Sequence, residues 1–372
     1  MDIYSYIQIN ANADIPLVTQ LTQKITWLIA SGELKPGDHL PPIRQMADVL
    51  GINMHTVRAA YQRLEADLLV SMRTKHGTVV LPYQAGAFKE EKVGIASFLI
   101  GVILPAPNPV FNAYLQGISY ATSESRLMPI FCYTYDNPHL TDRYLNQLLA
   151  KNVDGFIITS TSSSRFVDDP ALIDQYPPIV FVDTPEISRN SLLFDSEAAA
   201  FLTTSHLLEH GYEEVGLITS PLDWANVAQC FTGYKQALAK FDKPVNPDLM
   251  VEVPDFSQKS GYEGTLEFLK RGRPPRAIFV ISDLLAIGAM QALQGCGFSV
   301  PGGVAIASYN DIEQAALVKP ALTSASLPAY EMGLQAVILL NDLLGGNKPS
   351  PKPLRLSTSL VIRESCGCQA EV

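Results

Sequence analysis

Apolar residues recur at helical spacing near the start of the chain. Residues 15–31 carry a stripe in which neighbouring apolar positions lie mostly three or four residues apart, and this period predicts an amphipathic helix. The stripe consists of Leu17, Leu21, Ile25, Leu28 and Ile29. Gly32 follows and predicts the end of this helix.

Two shorter helices are predicted next, around a glycine turn. The first is IRQMADVL, closed by Gly51, and Asn53 is a suitable N-cap for the second, MHTVRAAYQRLEADL. The apolar stripe of the second helix consists of Val57, Ala60, Tyr61 and Leu64. Its outward-facing positions are Met54, His55, Arg58 and Gln62. The pair is typical of a helix-turn-helix with a polar outer face.

Two β-type runs follow in LLVSMRTKHGTVVLP, around a tip formed by Lys75, His76 and Gly77. They predict a hairpin, or wing, that Pro82 ends. The next stretch, YQAGAFKEEK, contains glycine and charge without a clear period and predicts a linker. We therefore expect a first domain over residues 1–83 and a linker over 84–92.

The pattern changes at about residue 93, where apolar strand runs begin to alternate with helical stretches. The runs are GIASFLIGVIL, PIFCYT, GFIITS, PIVFVD, SLLFD, EVGLIT, AIFVIS and GVAIAS. This alternation predicts an α/β fold with parallel sheets. About 280 residues exceed one doubly wound domain, so two lobes are expected. We place lobe 1 at about 93–195 and 325–345, and lobe 2 at about 196–324 and 346–372.

Composition favours a globular chain without a membrane span. The 372 residues are 47% hydrophobic and 17% charged, which suits two or three folded domains. No apolar stretch approaches the roughly 20 residues of a transmembrane helix, and the start lacks a secretory pattern, so we expect a cytoplasmic protein. The five cysteines are odd in number and scattered. Only Cys366 and Cys368 lie close together, and two ligands do not complete a zinc site, so no metal is expected.

Charge is distributed unevenly. The chain carries a net charge of −10, yet residues 1–83 hold 7 of the 27 basic and 7 of the 37 acidic residues, which leaves all the excess acid in the remainder. A neutral first domain can still present a basic face to DNA phosphates. Five of its seven basic residues cluster in its second half, namely Arg44, Arg58, Arg63, Arg73 and Lys75.

Side chains on one helix face can read base edges in the major groove, with arginine bonding guanine and histidine, asparagine or threonine reaching bases or phosphates. Arg44, on the preceding helix, is placed to grip a phosphate, and a wing tip can flank the minor groove. The candidate DNA-binding residues are Arg44, Asn53, His55, Thr56, Arg58, Lys75, His76 and Gly77. The ordinary alternatives are a helix cap for Asn53, a solvated side chain for His55 and a plain surface hairpin for the tip.

The first domain resembles the winged helix-turn-helix of the GntR family of transcription regulators. The matching strings are IPLVTQLTQKI, SGELKPGDHLPPIRQMADVLG, TVRAAYQRLEADLL and HGTVV. The resemblance places Arg44 and Arg58 at DNA-contacting positions. The chain departs from the family pattern at Pro42, where a small residue is usual, and at Asn53 and Met54, where a Ser/Thr-Arg pair is usual.

The remainder resembles the LacI/GalR-type effector domain, which is similar to periplasmic sugar-binding proteins. The matching strings include LIGVILPAPNPVF, LLAKNVDGFII, HLLEHGYEEVGLITS, AIFVISDLLAIGAMQALQGCGFSVPGGVAIASYND and LVIRESCG. The resemblance implies a periplasmic-binding-protein-like fold whose two lobes close on a small sugar-like effector. It also implies a homodimer, since two winged heads bind the two half-sites of a palindrome.

Ligands of parallel sheets bind outside the carboxyl ends of the strands, so residues that follow strand runs are candidates for effector contact. The resemblance adds Phe256 as a stacking aromatic and Cys230 at a position where the family has arginine. The candidates are Phe111, Tyr135, Asp183, Asn226, Cys230, Phe256, Ser282, Asp283 and Asn310. Ser282 and Asn310 also depart from the family's Asn and Asp. For the aspartates, capping or strand-end hydrogen bonding is an equal alternative to ligand contact. Trp224, after TSPLD, either lines the cleft or packs in the core or hinge.

These features predict a DNA-binding repressor that a small molecule controls and that uses no cofactor. A second interpretation is a regulator whose cleft has lost its ligand and responds to a protein partner, since Cys230, Ser282 and Asn310 remove charge or reach. An enzyme is disfavoured because the chain has no phosphate-binding loop, G-x-S-x-G or H-E-x-x-H. A transport solute-binding protein is disfavoured by the winged head and the missing signal peptide.

Overall fold

The structure is a computed structural model that describes residues 7, 9, 16–30, 32–73, 77–82, 97–272, 274–348 and 352–368. The chain divides into two compact units. Unit 1 holds Met1–Ala106, Thr122–Val180 and Leu340–Asn347, and unit 2 holds Pro107–Ala121, Phe181–Leu339 and Lys348–Val372. The predicted linker, 84–92, lies outside the described residues. The predicted domain and lobe bounds stay predictions.

Unit 1 begins with a winged helix-turn-helix, as the sequence predicts. Its elements are α1 (Leu17–Ala30), β1 (His39–Leu40), α2 (Ile43–Leu50), α3 (Met54–Ala66), β2 (Val70–Arg73) and β3 (Gly77–Val80). The strands form an antiparallel sheet in the order β1-β3-β2. The predicted stripe of α3 is fully buried, because Val57, Ala60, Tyr61 and Leu64 face the side chains of α1. Tyr61 satisfies its hydroxyl by donating to the Pro41 carbonyl at 2.8 Å.

The α/β part of unit 1 contains parallel strands with helices between them. Its elements are β4 (Leu99–Leu104), β5 (Met128–Tyr133), α5 (Pro138–Leu149), β6 (Gly155–Thr159) and α6 (Ser164–Asp168). Strand β4 pairs in parallel with both β5 and β6. Every residue of β6 is buried, as expected for a strand covered on both faces. Helices α4 (Val110–Glu124) and α12 (Ala329–Leu344) and strand β7 (Ile179–Val182) have residues in both units.

Unit 2 contains a six-stranded sheet in the order β10-β9-β11-β12-β13-β15. All neighbours pair in parallel except β13 and β15, which are antiparallel. The strands are β9 (Val215–Thr219), β10 (Met250–Glu252), β11 (Ala277–Val280), β12 (Ala305–Asn310), β13 (Thr323–Ser326) and β15 (Ser359–Val361). The helices are α7 (Ser196–Glu209), α8 (Ala225–Lys240), α9 (Gln258–Lys270), α10 (Asp283–Gly295) and α11 (Glu313–Leu317). Strand β8 (Ser191–Phe194) pairs in parallel with β7 and with β14 (Leu354–Leu356).

All eight strand runs read from the sequence contain a strand, which confirms the α/β prediction. Strand β13 was not expected because its sequence, TSAS, has no bulky apolar residue, although three of its four residues are buried. Its Thr323 and Ser324 hydroxyls instead hydrogen-bond inside the protein, to Cys366 Sγ and to Asp283 Oδ1. Within the described part of the chain, no helix is long and apolar enough to cross a lipid bilayer.

Candidate DNA-binding surface and effector site

The start of α3 presents a polar surface. Asn53 has extended backbone angles and its Oδ1 accepts the His55 N–H at 2.8 Å, so the predicted cap is present. The side chains of Asn53, His55 and Arg58 are exposed, and Thr56 is half-buried. Met54 is 45% exposed in the same turn, so this surface also carries an apolar side chain, a kind of group that can contact thymine methyls. We call Asn53, Met54, His55, Thr56 and Arg58 the recognition face.

Arg44 is exposed in the first turn of α2. Its helix is held in place by Met46, which is fully buried, and ends at Gly51 with φ 64°, a left-handed angle that suits glycine. Gly77 is exposed at the start of β3 and has φ 73°. Lys75 and His76 lie outside the described residues. Arg44 on α2 and the polar groups on α3 are thus presented by two helices that share one buried core.

In unit 2, most of the effector candidates lie at the carboxyl ends of strands. Asn226 and Cys230 follow β9, Phe256 follows β10, Ser282 and Asp283 follow β11, and Asn310 ends β12. Because these four strands are parallel neighbours, their ends meet at one edge of the sheet. We call this group, together with Asp183 after β7, the strand-end site.

Asp183 and Cys230 belong to one electrostatic cluster with Tyr309. Burial, with a smaller contribution from Glu186, raises the pKa of Asp183 to about 6. Burial and the nearby Asp183 carboxylate raise the pKa of the Cys230 thiol, so the thiol is neutral at pH 7. Burial likewise raises the Tyr309 pKa, and the Tyr309 and Ser196 hydroxyls are 2.8 Å apart. The cluster offers hydroxyl and carboxyl groups without a cation.

An aromatic pair stands on the same edge. The rings of Trp224 and Phe256 are 5.3 Å apart at 51°, and both side chains are half-buried. Trp224 is also the N-cap residue of α8, two positions before Asn226. A half-buried aromatic face beside polar groups is what a sugar ring needs, because its C–H groups pack on the ring while its hydroxyls hydrogen-bond.

Asp283 is fully buried and has three hydrogen-bond donors. Its Oδ1 accepts the Ser308 and Ser324 hydroxyls and its Oδ2 accepts the Ile312 N–H at 2.7 Å. Burial raises the pKa of Asp283 to about 6, although these hydrogen bonds act in the opposite direction. The carboxylate therefore ties α10 to strands β12 and β13 and to Ile312, which follows β12. This contact set supports the strand-end bonding alternative for Asp283.

Two further members of the strand-end site, Ser282 and Asn310, lie at special backbone positions. Ser282 is buried as the N-cap residue of α10, and Asn310 is half-buried with φ 123°, outside the usual range of a side-chain-bearing residue. Next to it, Asp311 pairs with Arg363 at 2.7 Å. The chain thus turns sharply at the end of β12, and the Asp311 charge is balanced by arginine.

The two remaining candidates are placed differently. Phe111 is half-buried in the first turn of α4, with its ring 6.2 Å from that of Tyr114. Tyr135, in unit 1, is 64% exposed with φ 51°, and its ring is 6.5 Å from that of Tyr133. Both residues remain predicted effector contacts, because each follows a strand in the sequence.

Two residues of the cluster around Asp183 and Cys230, namely Ser196 and Tyr309, were not predicted from the sequence. Ser196 follows Asp195, the residue directly after the SLLF strand, so the same strand-end rule would have found it. Tyr309 has no such signal, because a tyrosine in an apolar strand normally indicates a core position.

The raised pKa of Asp183 leads to a test of pH dependence. A folded-state pKa of about 6 against an ordinary value of 3.8 means that the folded chain holds this proton between about pH 4 and pH 6. The contribution of Asp183 to the free energy of unfolding therefore falls as pH rises through that window. We expect Asp183→Asn to be about 1–2 kcal/mol more stable than the natural chain at pH 7.5, and equal to it near pH 4.

Urea unfolding from pH 4 to pH 8 measures this difference. Asp223→Asn is the matched control, because Asp223 is exposed in the loop before α8 and should show no such pH-dependent gain. A stability difference that does not change with pH would contradict the raised pKa.

Two families match successive parts of the chain. Residues 17–80 match the gntR family of bacterial regulatory proteins. Residues 204–366 match the periplasmic binding protein-like domain. The first match covers the winged helix-turn-helix and the second covers most of unit 2, so the two resemblances read from the sequence are confirmed.

Among curated relatives, the ribose operon repressor of Haemophilus influenzae is 30% identical over 269 residues, which is 72% of this chain and 80% of that repressor. The transcriptional repressor CytR of Escherichia coli K12 is 26% identical over 262 residues, 69% of this chain and 76% of CytR. Both are transcription regulators rather than enzymes.

Solved structures that resemble this chain are also transcription regulators. A LacI-family regulator from Enterococcus faecium, crystallised with ribose, is 27% identical with a TM-score of 0.63, covering 72% of this chain and 98% of its own. The transcription regulator CcpA of Lactococcus lactis is 25% identical with a TM-score of 0.65, covering 72% of this chain and 98% of its own. The chain therefore belongs to the LacI family of transcriptional repressors by its periplasmic-binding-protein-like domain, and carries a GntR-type winged helix-turn-helix at its N-terminal end.

Proposed function

We propose that this repressor acts in the cytoplasm as a homodimer on a palindromic operator and that a neutral, hydroxyl-rich small molecule changes its DNA affinity. The observation that carries the proposal is the exposed recognition face on the capped helix α3, in a chain that also holds a strand-end site. Two recognition helices match half-sites about 34 Å apart, or a multiple of that spacing. Effector and DNA affinities are then coupled reciprocally.

The chemistry of the strand-end site supports a neutral effector. None of its members, Asp183, Asn226, Cys230, Phe256, Ser282, Asp283 and Asn310, is basic, and two are carboxylic acids. A phosphate or carboxylate group would meet Asp183 without a guanidinium to balance it. A sugar or polyol would find hydroxyl partners and the Trp224–Phe256 aromatic pair. The ribose bound in the Enterococcus faecium regulator is a molecule of this class.

Arg58 and Arg44 are expected to contribute to DNA binding in different ways. Arg58→Ala should weaken operator binding by about 1–3 kcal/mol and relax base preference at one position per half-site, because Arg58 reaches base edges. Arg44→Ala should weaken binding to all sequences alike and reduce the salt dependence, because Arg44 contacts phosphate. Fluorescence anisotropy with operators selected from a random library, and with single-base variants, separates the two effects.

Arg355→Ala serves as a control, because Arg355 is exposed on β14 in unit 2 and outside the winged domain. If Arg58→Ala bound every sequence as the natural chain does, the assignment of the recognition face would be wrong.

The effector class is tested by thermal shift. A ligand that binds only the folded chain raises its melting temperature, and a panel of neutral sugars, polyols, nucleosides and sugar phosphates compares the classes. We expect neutral sugars or polyols to stabilise the chain and to change its DNA affinity. A response confined to sugar phosphates would contradict the neutral effector. No response from the panel, with DNA binding intact, would favour control by a protein partner.

A further inference from the structure

Four thiol and imidazole side chains meet at the C-terminal end of α7. Cys368 Sγ lies 2.7 Å from His210 Nε2 and 3.3 Å from His206 Nε2. Cys366 Sγ lies 3.3 Å from His206 Nε2 and 3.2 Å from Cys368 Sγ. The ligand atoms of His206, His210 and Cys368 all lie within 4.8 Å of one another. We call these four residues the Cys-His cluster.

Local backbone structure explains the convergence. His206 and His210 are one helical turn apart, in the last turn of α7 and at its C-cap, so their rings lie on the same face with centroids 4.6 Å apart. Gly367, between the two cysteines, has φ 91°, and a Cβ there would lie 2.9 Å from the Tyr212 hydroxyl. The glycine therefore permits the turn that brings both sulfurs to the same side.

The environment is closed on one side and open on the other. His206 is 8% exposed and Cys366 is fully buried, whereas Cys368 is half-buried and His210 is exposed. The Thr323 hydroxyl accepts the Arg363 N–H at 2.8 Å, which leaves its proton for Cys366 Sγ at 3.1 Å. A hydroxyl donating to a sulfur stabilises a thiolate and orients it, as second-layer groups do around metal ligands.

The hydrogen bonds within the Cys-His cluster are weak. Both described partners of His206 Nε2 are sulfur atoms, and a thiol is a weak donor and a weak acceptor. A divalent ion of intermediate softness binds two thiolates and two imidazoles far more strongly. In tetrahedral zinc sites the ligand atoms lie about 3.3–3.8 Å from one another, given bonds of about 2.3 Å to sulfur and about 2.0 Å to nitrogen. The Cys368–His206, Cys366–His206 and Cys366–Cys368 distances, 3.3, 3.3 and 3.2 Å, already lie close to these values.

We propose that His206, His210, Cys366 and Cys368 bind one zinc ion in a tetrahedral, structural site. Binding would displace the two thiol protons and link the segment after β15 to the end of α7, residues that lie 156 to 162 positions apart in the sequence. The site is separate from the strand-end site, because Ser196, whose hydroxyl meets Tyr309 beside Asp183 and Cys230, begins the same helix ten residues before His206, about 15 Å away along the axis. Its role is to fasten the C-terminal segment.

Metal content tests the proposal on the full chain. The protein, purified in reducing buffer with trace zinc, should hold one zinc per chain by mass spectrometry of metals. Cobalt added to the metal-free chain should give the intense visible bands of tetrahedral cobalt and a thiolate-to-cobalt charge-transfer band. His210→Ala and Cys368→Ser should lose stoichiometric zinc and the cobalt spectrum. Both positions have solvent access, so the variants should still fold, which circular dichroism checks.

Cys296→Ser is the matched control, because Cys296 is an exposed cysteine at the C-cap of α10, outside the cluster. It should keep one zinc and the full cobalt spectrum. Zinc should also raise the melting temperature of the metal-free natural chain and of Cys296→Ser, but not that of His210→Ala. Absence of zinc and of a cobalt spectrum in the reduced natural chain would overturn the proposal, as would equal zinc binding by His210→Ala. A Cys366–Cys368 disulfide that persists in the reducing buffer would overturn it as well.

Discussion

Gly288→Ala is expected to destabilise the chain by about 3 kcal/mol. A Cβ at this position would lie 1.9 Å from the Gln258 carbonyl oxygen and 2.8 Å from the Tyr262 nitrogen. These are backbone atoms of α9, so the two helices would have to move apart instead of a side chain turning away. Gly261 makes the reciprocal approach, with its missing Cβ 2.0 Å from the Leu285 carbonyl oxygen.

The same substitution should disturb the strand-end site. Helix α9 begins two residues after Phe256, and α10 begins at Asp283, so separating the helices displaces both residues. Urea unfolding measures the stability, and ligand titration measures the site. Gly295→Ala is the control on the same helix, because a Cβ there has no neighbour within 4 Å. Alanine should match or slightly raise stability at Gly295. Equal stability of the two variants would contradict this account of the helix contact.

The sequence predicted the winged domain well because its signals are local. The Asn53 cap, the Gly51 turn and the buried stripe of α3 each depend on residues a few positions apart. The strand-end candidates could also be predicted from the sequence, because a parallel sheet places the residue after each strand at one edge. The role of Asp283 was left open between ligand contact and strand-end bonding, since the choice depends on Ser308 and Ser324, which come from two later strands.

The Cys-His cluster shows what local patterns cannot predict. CGC alone supplies two ligands, and the expectation that no metal binds followed from that count. His206 and His210 come from a helix far earlier in the chain, and only the path of the C-terminal segment back to α7 brings them together. Tyr309 was missed for a related reason, since its proximity to Cys230 and Asp183 depends on packing between elements distant in the sequence.

Phe256→Ala is expected to weaken the effector response about 10- to 100-fold while leaving the DNA affinity of the ligand-free protein unchanged. The ring packs against Trp224 at 5.3 Å and is half-buried, so its loss removes an aromatic face from the strand-end site. A sugar that stacks its C–H groups there would lose roughly 1.5–3 kcal/mol of binding. The measurement is the concentration of the stabilising neutral sugar that produces half of the maximal change in DNA affinity. Fluorescence anisotropy reports the DNA binding.

Phe241→Ala is the matched control, because Phe241 is also a half-buried phenylalanine but lies at the C-cap of α8, the end opposite Trp224. It should lose similar stability through reduced burial and keep the effector response. If Phe256→Ala and Phe241→Ala responded alike to the sugar, the effector would bind elsewhere. If Phe256→Ala also weakened ligand-free DNA binding, its effect would be on the fold of unit 2 and not on recognition of the effector.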